Sequence, residues 1–274
     1  MTREAGLLFN RVAEAYDRAR PAYPDSLVDE ACAVGGLAPG SLVVEVGCGT
    51  GKLTGALVAR GLRVEAVDPG PELVEVARRR AGDAPVRFHL GRFEDVELPD
   101  AAFEAVFSAT AFHWVDPEVG WSKVAALLRR GGVLALLAHV GGSWLEVDAE
   151  LLAAWREVLP EAAAWVSRDD RTVWEGAEAR LGNVSELWGW LEKRELGRPE
   201  AAELFGDVKL MRVQRDTIET TEELLALLRT TSAYLRLEPE GQSRLEERVR
   251  TIVERAGGTY RSTSFATLVT ARRA

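Results

Sequence analysis

Residues 42–52 read LVVEVGCGTGK. A β-branched apolar run ends in Gly47, Gly49 and Gly51, with small residues between them, and the stretch closes on Lys52. The pattern reads as a buried strand, a tight turn and the start of a helix. Glycines at such a junction let the backbone approach a ligand and let the helix pack closely. Three ligand classes compete for the loop. The Gly51-Lys52 pair suggests a phosphate-binding P-loop, which needs an earlier glycine at the head of the motif and a Ser or Thr after the lysine. Val46 and Leu53 stand at those places, so both requirements fail. A dinucleotide fingerprint, G-x-G-x-x-G, fits Gly47 and Gly49 but meets Lys52 where the third glycine belongs. Glu45, at the strand end, is also a poor neighbour for a pyrophosphate. The pattern that fits is E-x-G-x-G-x-G: Glu45, Gly47, Gly49 and Gly51.

Working outward, the strand–helix rhythm continues. Strands are predicted at 41–46, 63–68, 86–91, 103–109 and 133–140, with helices at 52–61, 71–82 and 121–132. Alternation of this length means βαβ units and a parallel sheet covered on both faces. Upstream, Leu7, Leu8, Val12, Ala13 and Tyr16 are spaced for a short helix, Pro21 and Pro24 break it, and 25–35 forms a second helix. Beyond about residue 141 the rhythm is lost. Helical patterns rich in tryptophan fill 145–204; a strand at 207–218, a helix pair over 221–256 and a last strand at 264–273 follow.

With 274 residues, 47% hydrophobic and 28% charged, the chain has ample material for a core, and its net charge of -9 disfavours a nucleic-acid backbone as partner. The basic run at 77–80 reads as a solvated helix face. Cys32 and Cys48 have no ligand spacing around them, so no metal is expected. The N-terminal residues carry charges throughout and lack a signal peptide's apolar stretch, and no apolar run is long enough for a membrane span. The expectation is a cytoplasmic protein, monomer or homodimer, with a small-molecule partner.

The stretch VVEVGCGTGKLT resembles motif I of class I S-adenosylmethionine (SAM) dependent methyltransferases, and the region from about 10 to 140 is similar to that family throughout. The resemblance implies an α/β, Rossmann-like fold: seven strands flanked by helices, the last antiparallel, with a helical cap. The expected organisation is an N-terminal helical segment over the site (1–36), a SAM-binding core (37–140), a helical cap or substrate region (141–206) and a C-terminal completion of the sheet (207–274). It implies SAM as cofactor and S-adenosylhomocysteine (SAH) as product. Glu45, Gly47, Cys48, Gly49 and Gly51 would hold the methionyl end. Asp68 and Pro69 would hold the ribose, where an acid accepts both hydroxyls. Arg92, Phe93 and Glu94 would border the adenine; Arg92 stands where the family often has Asp. Ser108 and Ala109 would lie by the methyl group, with Tyr16 and Arg20 over the cofactor.

The run SATAFHWVDP at the end of the fourth strand resembles a subgroup that includes trans-aconitate methyltransferases, which esterify a small carboxylate. The same subgroup carries a Tyr-Asp…Arg-Pro…Tyr-Pro element like AYDRARPAYP. His113 is the candidate general base or orienting group, and a hydrogen-bonded structural histidine is the alternative. Tyr23, Trp114, Trp144, Arg229 and Tyr234 are the other substrate candidates. The tryptophans read either as a lid or as core anchors. The predicted function is methyl transfer to a small carboxylate or another O, N or C nucleophile. A peptide acceptor and a non-catalytic SAM- or SAH-binding module are the alternatives, and NAD-dependent oxidation is disfavoured by the glycine spacing.

Overall fold

The computed structural model describes residues 8–141, 147–159 and 170–274. Seven strands form one sheet: β1 Leu42–Val46, β2 Arg63–Asp68, β3 Val86–Leu90, β4 Phe103–Ala109, β5 Leu128–Gly141, β6 Phe205–Thr220 and β7 Thr259–Arg273. Their order is β3-β2-β1-β4-β5-β7-β6, and β7 runs antiparallel to both of its neighbours. The reversed last strand expected at 264–273 is therefore present, and longer. Strand order turns back between β1 and β4, and the carboxyl ends beside that switch point are where open α/β sheets bind ligands.

Helices α1 Ala13–Ala19 and α2 Asp25–Gly35 precede the sheet, and α3 Lys52–Ala59, α4 Pro71–Ala81 and α5 Pro117–Leu127 are the crossovers. The helix expected at 121–132 starts earlier and stops at Leu127. Asp116 caps its start by accepting from the Glu118 N–H, and Pro117 suits the first helical turn. Its end is set by β5, which begins at Leu128 through an irregular stretch containing Gly131 at φ +73°. After β5 come α6 Val147–Val158, α7 Asp170–Glu178, α8 Val184–Glu192 and α9 Ala201–Leu204. Between β6 and β7 lie α10 Thr221–Leu228, α11 Ser232–Leu235 and α12 Pro239–Arg255.

Side-chain alternation splits the core. Ala105, Phe107, Ala135 and Leu137 face α2 and α3, burying Leu27, Leu53 and Leu57. Val106, Leu134 and Leu136 face the other way, onto Trp121 of α5 and Trp174, Leu187 and Trp188 of α7 and α8. Trp188 is fully buried and Trp174 meets Phe265 edge-on at 4.9 Å. These tryptophans are core anchors rather than parts of a lid. Trp144 and Trp165 lie outside the described residues. A third cluster packs Ala154 of α6 against Leu225 of α10, Tyr234 of α11 and Leu245 and Val249 of α12.

Candidate functional site

The glycine loop joins β1 to α3 with all three glycines at positive φ. A side chain at Gly47 would sit 2.3 Å from the Ala111 Cβ, so this strand end tolerates no Cβ. At Gly49 there is open space, and φ +53° supplies the requirement for glycine. The loop is tied to β2: the N–H groups of Gly47 and Cys48 donate to the Val67 carbonyl at 2.8 and 3.1 Å.

Asp68 ends β2 at 6% exposure. Its Oδ2 accepts from the Gly49 N–H at 2.9 Å and its Oδ1 from the Gly70 N–H at 2.8 Å. These bonds aim the carboxylate along the loop. Burial nevertheless raises its pKa to about 6, the two N–H donors opposing the shift.

A cavity of about 700 Å³ opens above these groups. Gly47, Gly49, Asp68 and Pro69 form its floor, and Arg92, Phe93 and Glu94 line it after β3. Glu94 accepts from Arg92 at 2.7 Å and from the Asp116 N–H at 2.9 Å. Lys123 holds the same turn through the carbonyls of Glu94 and Val96, at 3.1 and 2.6 Å. On the β4 side the lining is Ala109, Thr110, Ala111, His113 and Trp114. Tyr16 and Arg20 line it from above, beside Phe9, which packs edge-on against Tyr16 and Trp114 at 5.5 and 5.9 Å. Arg20 is oriented by donating to the Thr230 hydroxyl at 3.0 Å and its carbonyl at 2.9 Å.

Several expected contacts fall elsewhere. Glu45 is outside the lining: it is 1% exposed, accepts from the Thr54 hydroxyl at 2.6 Å inside the core, and is pushed by burial to about 8. Alternation along β1 turns this side chain under the sheet end, away from the ligand face. Cys48 is buried with its thiol pKa driven up, and Gly51 packs on Ala77 of α4, so neither lines the cavity. Ser108 donates to the Val46 carbonyl at 2.7 Å, holding β4 to β1 from within. Tyr23 is bonded to Thr110 and stacked on His139 at 4.5 Å, beneath the lining. Arg229 and Tyr234 are turned toward α12: Arg229 pairs with Glu246 at 2.9 and 2.5 Å, and the Tyr234 hydroxyl donates to the same carboxylate. An intact ion pair leaves that arginine engaged away from the cavity. Trp144 lies outside the described residues.

The cavity also has a wall that the sequence does not announce. Arg194, Glu195 and Leu196 follow α8, and Thr231 and Ser232 are the N-cap and first residue of α11. Lys193 adopts φ +54° and turns the chain so that the Arg194 guanidinium lies 4.7 Å over the Trp114 ring. Trp121 fixes the turn by donating to the Leu196 carbonyl at 3.2 Å. The residues EKREL match no motif; only tertiary contact reveals their place. Glu192, the last residue of α8, lies 2.9 Å from His113 Nδ1.

The arrangement suits SAM. Asp68 offers acceptors for a diol and the glycine loop offers close backbone. A turn pinned through Glu94 flanks Phe93, and Tyr16 and Arg20 close the top. Residues 44–136 match the methyltransferase-domain family. A methyltransferase of uncharacterized activity from Mycobacterium tuberculosis is 42% identical over 137 residues, 49% of this chain and 53% of that protein. The malonyl-[acyl-carrier protein] O-methyltransferase of Serratia marcescens is 33% identical over 150 residues, 52% and 58% of the two chains. The chain thus spans about half the length of the curated relatives it matches. Among solved structures, a protein from Anaeromyxobacter dehalogenans described as a type II methyltransferase superposes with TM-score 0.60 at 23% identity, covering 93% of this chain and 97% of that one. A Haemonchus contortus phosphoethanolamine N-methyltransferase solved with SAH shares the fold at TM-score 0.50 and 16% identity, over 96% of this chain and 57% of that one. No helix among the described residues is long and apolar enough to cross a membrane. Residues 44–136 thus match the methyltransferase-domain family, and the sheet around them has the fold of these solved methyltransferases.

Proposed function

We propose that the chain transfers a methyl group from SAM to a small-molecule acceptor by direct displacement. One observation carries this reading: a single cavity runs from Asp68 and the glycine loop to His113 and Trp114. Cofactor and acceptor groups therefore share one space. SAM, when bound, supplies an electrophilic methyl on a sulfonium. The chain's own work is to hold, align and exclude water. Asp68 accepts from the ribose hydroxyls, the turn at Arg92–Glu94 borders the adenine, and Tyr16 and Arg20 close over the amino-acid end. Beyond β4, Ala109, Thr110 and Ala111 form the floor under the methyl position, and His113 and Trp114 face the acceptor. Holding acceptor and methyl in line is worth several kcal/mol of barrier on its own.

The acceptor lies among small carboxylates and the O, N or C nucleophiles of natural-product scaffolds, with cytoplasmic chemistry in view. The Serratia relative's name concerns an acyl group on a carrier protein, and that supports only the coarser class of O-methylation here.

The test begins with protein stripped of copurifying cofactor, checked by mass spectrometry. Calorimetric titration should give micromolar binding of SAM and SAH and no response to NADH. Failure of the folded protein to bind either adenosyl ligand would remove the proposal. Binding without transfer to any small molecule, in a cavity closed to acceptors, would favour a regulatory SAH-binding module instead.

A further inference from the structure

His113 sits in the short turn Phe112–Trp114 after β4, 6% exposed, with its ring on the cavity. Its Nδ1 is sealed from solvent and lies 2.9 Å from Glu192, off the axis of a hydrogen bond. Contacts of this kind tighten when the second reactant seats. Glu192 arrives there on a well-fixed helix. Asn183 caps α8 by accepting from the Ser185 N–H at 2.9 Å, Trp188 is fully buried, and the left-handed Lys193 ends the helix directly after the glutamate. A carboxylate facing Nδ1 keeps the ring proton there and leaves the Nε2 lone pair on the cavity side.

A carboxylate acceptor is ionised at neutral pH and needs no base. A half-buried acid behind the imidazole would be idle for such a substrate, and its charge would oppose it. An alcohol or phenol is different, because its proton must leave as the new bond forms. We infer that Glu192 is a positioning residue for His113, and that the pair serves an acceptor arriving as a protonated oxygen, a hydroxyl rather than a carboxylate. The inference rests on the methyltransferase reading above. In the step, a bond forms between the acceptor oxygen and the methyl carbon while the carbon–sulfur bond breaks, its electron pair staying on sulfur. The hydroxyl proton passes to His113 Nε2, leaving an imidazolium facing Glu192 that returns its proton to water.

The chain has only three histidines, so ring-nitrogen NMR of the full-length protein saturated with SAH can resolve each, with a His113→Gln spectrum for assignment. The expected result is an Nδ1–H tautomer at His113 in the wild type. It should be kept in Glu192→Gln, whose amide oxygen can still accept, and lost in Glu192→Leu. Calorimetric SAH affinity should stay within about twofold in both variants, since neither change touches Asp68 or the loop. Unchanged His113 ring shifts in Glu192→Leu, with SAH still bound, would overturn the inference and leave the methyltransferase reading intact. Loss of SAH binding by the wild type would overturn both. The acceptor class is read separately, from a pool of hydroxyaryl compounds and dicarboxylic acids incubated with trideuteromethyl SAM. Label recovered as an ether is expected; label recovered as a methyl ester would overturn the hydroxyl assignment.

Discussion

For the proposed ribose contact Asp68 must be an anion, yet burial raises its pKa from 3.8 to about 6. A raised carboxyl pKa means that the folded chain holds a proton which the unfolded chain releases. The cost to stability therefore grows as pH rises from about 4 to 6 and is complete above that window. Ligand binding runs the other way. SAH should bind about fourfold more weakly at pH 5.5 than at 7.5, with proton release near pH 6, read by calorimetry in two buffers of different ionisation enthalpy. Asp68→Asn should remove that pH dependence. It should also weaken binding by about 1–3 kcal/mol, because an amide cannot accept from Gly49, Gly70 and a ribose together. Glu45 makes the opposite case. It is titrated up to about 8 from 4.5 and bonded only within the core. Glu45→Gln should leave SAH affinity within about twofold. Its melting temperature should gain on the wild type as pH rises from 5 to 9, since only the wild type must bury a charge. A large loss of affinity would return this residue to the ligand. The motif pattern made the two acids look alike; which face each side chain takes decided otherwise.

Two elements define the cavity's accessible sides, and they are held differently. Helix α1 is tied to α3 and α4 by three ion pairs, Glu14 with Arg79, Asp17 with Arg80 at 2.6 Å and Asp17 with Lys52 at 3.8 Å, and by a small apolar contact of Ala13 with Leu73 and Val76. Surface pairs contribute little each, and the apolar contact is small, so this helix is held less firmly than one anchored in the main core. Asp17→Asn would remove both of its pairs and leave Arg80 and Lys52 unneutralised. Trypsin should then cut after Arg18 several times faster, and SAH should slow cleavage in the wild type; equal rates with and without SAH would mean that α1 does not cover the ligand. Helix α8 is instead part of the core. Trp188→Ala removes a fully buried ring beside Leu187, and should cost about 3–5 kcal/mol in urea unfolding. A cost under about 1 kcal/mol would make this helix a movable cover after all. The N-terminal element was legible through its Tyr, Arg and Pro residues. Glu192 and Arg194 were not, because a charge run after a helix looks the same whether it meets water or a cavity.

At the scale of the molecule, the alternation of strand and helix made the parallel part of the sheet readable, while the reversal of the last strand was an expectation from the family resemblance alone. Period-2 burial on both faces and glycine stops at helix ends are local signals. What packs on that sheet is not local. Residues between β5 and β6 pack directly on it: Trp174, Leu187 and Trp188 share one core with Leu134, Leu136 and Val269 of the strands. Helix α6 joins the cluster built by α10 and α12, and Tyr260 at the head of β7 belongs to it too. A segment whose apolar residues complete the sheet's own core has no independent stability to fall back on. The chain therefore should unfold as one unit. Six of its eight tryptophans, Trp144, Trp155, Trp165, Trp174, Trp188 and Trp190, lie between β5 and β6. Tryptophan fluorescence consequently weights that segment, while far-UV circular dichroism averages the whole. The two urea transitions should coincide, and saturating SAH should move both midpoints upward together. A fluorescence transition at lower urea, with the dichroism of the sheet still intact, would show instead that the helical segment opens by itself and that the cavity wall formed by Arg194, Glu195 and Leu196 can leave the site without unfolding it.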